Sequence, residues 1–132
     1  MIKAKIISEV LGSPQEHVDK TLNLLLDKIK NIKEFNVVNW KVFEAQKVED
    51  KPLFTGFLEY EISVGTIEQV VGFCFDFMPS SIEILEPDDF QMPATDAGNI
   101  LNDLLARLHQ NDMFLRNVVA ELTRMKKVME NK

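Results

Sequence analysis

The chain has 132 residues, 45% hydrophobic and 27% charged, a balance typical of a folded globular protein rather than a disordered segment. Its formal net charge of −6 argues against nucleic-acid binding, because such proteins gain affinity from lysines and arginines that neutralise phosphates. No apolar run approaches the roughly 20 residues that span a bilayer, and the amino terminus lacks the apolar core of a signal peptide. The single Cys74 fits a reducing compartment, so we expect a cytoplasmic protein without a membrane partner.

The first predicted element is a strand at residues 2–10, where apolar residues recur with period two. A helix follows that runs to about Asn31. Ser13 is expected to be its N-cap, with Pro14 at the first helical position and Glu16 completing a capping box.

Two further strands are predicted at residues 37–48 and 53–64, separated by a polar turn. In the first of these, strict alternation places Val38, Trp40 and Val42 on one face. That face is expected to point toward the core.

A second capping box, formed by Thr66 and Gln69, predicts the start of a short apolar helix that Pro79 ends. Residues 80–85 are predicted to be the fourth strand. The element order up to this point is therefore βαββαβ.

This order predicts an α+β fold with a ferredoxin-like antiparallel sheet in the spatial order 4-1-3-2 and two helices on one face. If the helices cover the face of Ile6, Trp40, Tyr60 and Ile84, lysines face glutamates across the open face. Those open-face residues are Lys3, Lys5, Lys41, Glu59, Glu61 and Glu83. We expect one domain at residues 1–90 and a long, coiled-coil-like helix at residues 91–132.

The last helix, which Thr95 or Asp96 is expected to cap, carries an apolar residue every seven positions from Leu101 to Met129. With Leu101 at heptad position a, position d is apolar except for Asn111, and one buried Asn can set register and strand number. The expected oligomerisation residues are Leu101, Leu104, Leu108, Asn111, Leu115, Val118, Leu122 and Met125.

The charged residues beside these apolar positions favour self-association. In a parallel coil, position g faces position e of the partner five residues on, so Arg107 would face Asp112 and Glu121 would face Lys126. The alternative is that the helix docks on its own domain, against which the charged open face of the sheet argues. Whether the helix continues through the polar residues 109–113 is left open.

Residues that could carry chemistry are few and scattered. His17 is expected at the surface, and His109 with Asp112 supplies at most two metal ligands, fewer than zinc requires. Apolar neighbours of Cys74 predict an inert thiol. Because neither a phosphate-binding glycine motif nor a nucleophile elbow is present, we expect no enzyme activity, cofactor or metal.

The segments FDFMPSSIEILEP and LNDLLARLHQND resemble a family of small, uncharacterised archaeal proteins, and the resemblance extends over most of the chain. It implies a cytosolic archaeal protein and no particular activity. By element order alone, the chain also resembles ACT-like regulatory domains, which bind small effectors at dimer interfaces.

Our first hypothesis is a non-enzymatic interaction or scaffold module. It self-associates through the C-terminal helix, with a dimer favoured, and presents paired surfaces to another protein. The alternative is a small-ligand-binding, ACT-like regulatory domain. An enzyme or a nucleic-acid binder fits the residues less well.

Overall fold

The computed structural model describes residues 1–131. These residues form β1 (Ile2–Gly12), α1 (Gln15–Lys30), β2 (Asn36–Lys47), β3 (Phe54–Val64), α2 (Ile67–Phe77), β4 (Ser81–Glu86) and α3 (Ala94–Glu130). The chain divides into two compact units. The sheet unit comprises residues 1–90, and the helix unit begins at Gln91 and contains α3.

The sheet unit has the predicted topology. Its four strands are ordered β2-β3-β1-β4, and every neighbouring pair is antiparallel. Side chains from α1 and α2 pack on one face of this sheet and form a single core with it. The α+β class and the ferredoxin-like order are therefore confirmed.

Tyr60 lies at the centre of this core and is fully buried. Its hydroxyl lies 2.9 Å from the Ser8 hydroxyl, so each buried polar group has a partner. Phe73 from α2 packs edge-on against Tyr60, with 6.2 Å between the ring centroids. The aromatic contact and the hydrogen bond together join α2 to the two central strands.

Strand β2 contains two β-bulges that reverse its inside–outside alternation. Its pairing with β3 shifts by one residue between Val38 and Lys41, and again between Phe43 and Gln46. At the first bulge Asn39 has a φ of 52°, and its side-chain amide donates a hydrogen bond to a Glu61 carboxylate oxygen 2.6 Å away. Each extra residue exchanges the two faces of the strand beyond it.

The predicted core face of β2 is therefore wrong at two of its three positions. Val38 pairs with Glu61 on the open face, and Trp40 remains 47% exposed, with the Lys30 ammonium 3.4 Å from its ring centroid. Val42 does pack against the core. The other core contacts of β2 come from residues that strict alternation did not select, Val37 and Ala45.

Side chains of α1 satisfy the backbone of the second bulge. The Ala45 N–H donates to an Asp19 carboxylate oxygen at 2.9 Å, and the Gln15 amide donates to the Ala45 carbonyl, also at 2.9 Å. Because α1 provides both partners, the bulge needs no neighbouring strand at this point. The helix and the edge strand are thereby fixed to one another.

The two predicted helix starts in this unit have different outcomes. Helix α1 begins at Gln15 with Pro14 at the N-cap and no side-chain cap, so the capping box predicted from Ser13 is wrong. Its first turn is held instead through Gln15 by β2. The second box is confirmed, because Thr66 and Gln69 each accept a hydrogen bond from the other's backbone N–H.

Gly56 faces α1 so closely that a methyl group there would displace its neighbours. A Cβ at this position would lie 2.5 Å from Leu22 Cδ1 and 3.2 Å from Val18 Cγ1, and both side chains are fully buried. We expect Gly56→Ala to lower the free energy of unfolding, measured by urea denaturation, by about 1–3 kcal/mol. Gly72→Ala in α2 is the matched control, because nothing lies within 4 Å of its Cβ, and it should be neutral or stabilising. Equal losses in both variants would contradict this packing.

The buried Tyr60 hydroxyl should make stability depend on pH in the alkaline range. Burial raises the pKa of Tyr60 to about 12, whereas an unfolded tyrosine ionises near 10. Above pH 10 the unfolded chain therefore loses a proton that the folded chain keeps, and the free energy of unfolding falls as the pH rises. Relative to Tyr60→Phe, we expect the wild type to lose about 2 kcal/mol between about pH 10 and 12 in urea titrations. Parallel pH curves for the two proteins would contradict this.

Candidate functional site

Helix α3 is continuous for 37 residues and passes through residues 109–113 without a break. Its N-cap is Pro93, so the predicted caps Thr95 and Asp96 are wrong and lie within the first turn. The Asp96 carboxylate is nevertheless favourable there, because it is near the positive end of the helix dipole. No helix among residues 1–131 is both long and apolar enough to cross a bilayer.

The heptad residues form an apolar stripe along α3, and none of them is buried. The leucines at position a, which are Leu101, Leu108, Leu115 and Leu122, are 54–60% exposed. At position d, Leu104 is half-buried, while Asn111, Val118 and Met125 are exposed. Exposed apolar residues at the flanking e and g positions widen the stripe: Leu105, Phe114, Val119 and Val128. A single helix has no second layer on which to bury such a stripe.

The four charged residues predicted to pair between helices lie beside this stripe. Within one chain, Asp112 already forms a salt bridge with Arg116 one turn later, at 3.0 Å, and Glu121 pairs with Arg124. The heptad pattern did not identify these arginines, although their i,i+4 and i,i+3 spacing is a recognisable signal. The Asp112 and Glu121 side chains each remain 56% exposed, which leaves room for a second donor.

The open face of the sheet is charged in one part, as predicted. Lys5 Nζ lies 2.7 Å from a Glu59 carboxylate oxygen, and Lys3 lies 3.9 Å from Glu86. The hydrogen bond and the charge of Glu59 raise the pKa of Lys5 above its usual value. These pairs are solvent-exposed and therefore contribute little to stability.

A second part of the open face is apolar, so the charges predicted there do not cover the whole face. Phe43 and Phe57 lie directly opposite each other on β2 and β3, and each is 36% exposed. With Ile7 they line an open depression of about 270 Å³, which Glu59 borders. We call these three residues, Ile7, Phe43 and Phe57, the sheet patch. Exposed apolar clusters of this kind often mark interaction sites.

Residues considered for chemistry are placed on separate elements. His17 lies on α1 and His109 on α3, and both are exposed. Among residues 1–131, no group of three or more His, Cys, Asp or Glu side chains could hold a metal ion. Cys74 is partly buried on α2, and burial raises the pKa of its thiol.

Comparisons with known proteins identified one relationship. The sequence model of the MJ0538 family matches residues 3–130, a range that includes the sheet and almost all of α3. The comparison with curated proteins found no match, and neither did the comparison with solved structures.

Proposed function

The chain belongs to the MJ0538 family, and we propose that it acts as a non-enzymatic interaction module that self-associates through α3. Because the family match continues to residue 130, α3 is part of the sequence that defines the family. We therefore expect the members of the family to share the role of α3.

The exposed apolar stripe is the observation that carries this proposal. Full burial of one leucine side chain stabilises a structure by about 1.5–3 kcal/mol. Covering the exposed half of the four position-a leucines on each of two helices would contribute on the order of 10 kcal/mol. This gain is comparable to the cost of association, about 4–15 kcal/mol, before the position-d residues are counted. The stripe is thus large enough to support a specific complex.

A second copy of the chain is the partner that best fits the stripe. The seven-residue repeat is maintained from Leu101 to Met129, and a helix with the same repeat provides matching layers along its whole length. The charges beside the stripe, on Arg107, Asp112, Glu121 and Lys126, have opposite signs at positions that face each other in such a pair. We propose a homodimer as the basic assembly.

A homodimer presents two sheet patches, and we propose that these bind another protein. The depression in the patch is about 270 Å³, slightly smaller than the roughly 300–1,000 Å³ of most small-molecule sites, and it is open. Its aromatic pair and bordering charges fit the core and rim of a protein interface better than an enclosed effector site. This favours a protein partner over an ACT-like ligand. With one partly buried free thiol, we place the protein in the cytoplasm.

A charge in the middle of the stripe should dissociate the dimer. We expect Leu115→Lys to weaken self-association by at least about 100-fold, because two lysines would face each other across position a. Light scattering after size-exclusion chromatography would measure the mass. Fluorescence of Trp40, the only tryptophan, would report whether the sheet unit remains folded.

The matched control is Asn117→Lys, which introduces the same charge two residues away, at the outward heptad position c. This variant should remain a dimer with the wild-type mass. The proposal would be contradicted if both variants had the wild-type mass, or if both dissociated equally.

A further inference from the structure

We propose that the two α3 helices pair in parallel and in register, so that one end of the coil carries both sheet units. This inference rests on the proposed self-association and adds the orientation of the partner. Helix α3 is continuous through residues 109–113, so all its heptads lie on one helix. The residues at positions e and g, which flank the apolar stripe, differ in the partners they meet in each arrangement of two helices.

In a parallel, in-register pair, every contact between these flanking residues is favourable. Position g of each helix faces position e of the other, five residues further on. Four such contacts lie completely within α3, and each joins either two apolar residues or two opposite charges. They are Ile100 with Leu105, Arg107 with Asp112, Phe114 with Val119, and Glu121 with Lys126. Apolar and charged contacts alternate along the helix, so a shift of one heptad would set Ile100 against Asp112.

An antiparallel pair creates conflicts at the centre of the helix. In the register that overlaps most of the stripe, Leu101 lies opposite Met125, and the two Asp112 side chains face each other. Like charges at this distance disfavour the arrangement. The same register places Asn111 opposite Leu115, where the amide loses water without gaining a partner.

Other antiparallel registers are no better. A shift of seven residues in one direction sets Arg107 against Val128, and a shift in the other direction sets Leu105 against Asp112. Both shifts also reduce the number of residues at positions a and d that overlap between the two helices. The alternation of apolar and charged flanks therefore disfavours the shifted antiparallel registers, whereas Asp112 and Asn111 disfavour the unshifted one.

Asn111 supplies an independent reason for the parallel register. It is the only polar residue at positions a and d between Leu101 and Met125. In the parallel register the two Asn111 side chains meet in the same layer, where each amide can donate to the other's carbonyl oxygen. Any shift would leave both amides against apolar side chains, so this layer selects a single register.

Parallel pairing has a consequence for the sheet patches. In each chain, strand β4 is joined to the amino-terminal end of α3 by residues 87–93, which span at most about 25 Å when extended. Both sheet units are therefore tethered near the same end of the coil. A partner with two binding segments could engage both patches, and tethering would make its second contact effectively intramolecular.

Disulfide trapping between full-length chains tests the orientation. The variants Leu104→Cys and Leu122→Cys would be made in a Cys74→Ser background and oxidised in a glutathione buffer, separately and as an equimolar mixture. In the parallel register each variant pairs with itself. In the best antiparallel register, two copies of position 104 are 18 residues apart along the axis, about 27 Å, far beyond disulfide reach. Asn117→Cys, on the outward face, measures the background of random collisions.

We expect each single variant to form a disulfide-linked dimer well above the Asn117→Cys background, and the mixture to contain no link between positions 104 and 122. A link between 104 and 122 would overturn the parallel orientation. The absence of any link above background in chains that sediment as dimers would overturn the in-register pairing. Chains that sediment as monomers would overturn the proposed self-association itself, and with it this inference.

Discussion

A helix cannot bury an apolar stripe against itself, so α3 needs a second surface to cover its stripe. The helix has 37 residues, and no described residue in it is buried, although leucines recur along one side. Helices in proteins gain most of their stability from packing an apolar face rather than from intrinsic propensity. The salt bridges of Asp112 and Glu121 within the helix are solvent-exposed and contribute little to its stability. In our account, formation of α3 and association of two chains are therefore one coupled process.

The surface that the sheet unit offers depends on a different constraint, the irregularity of β2. Two bulges turn Trp40 and Val38 away from the core and leave Val37, Val42 and Ala45 inside. The second bulge is stable because Asp19 and Gln15 of α1 bind the backbone of Ala45. An irregular edge strand also resists pairing with strands of other molecules. The sheet patch lies on the open face beside this strand.

The sequence predicts features that depend on short-range patterns. The element order and the capping box of Thr66 and Gln69 were predictable because they rest on periodicity and on residues three apart. The sheet order then followed from the element order. The two bulges of β2 were not predictable, because the alternation of residues along a strand gives almost no local sign of an inserted residue. Asn39 was the only hint, since asparagine tolerates a positive φ better than most residues. The start of α1 at Gln15 depends on a contact with β2, 30 residues away, that no local pattern reveals. Of the candidate site, the stripe was predictable from the heptad repeat, whereas the grouping of Ile7, Phe43 and Phe57 depends on how three strands pair.

Sedimentation equilibrium of the unmodified full-length chain, over a wide range of concentrations, tests the central claim most directly. We expect the mass to approach twice the 15.2 kDa of one chain and to fall toward that value only on dilution. A mass of 15.2 kDa at every concentration would contradict the account, because α3 would then be stable without a second copy.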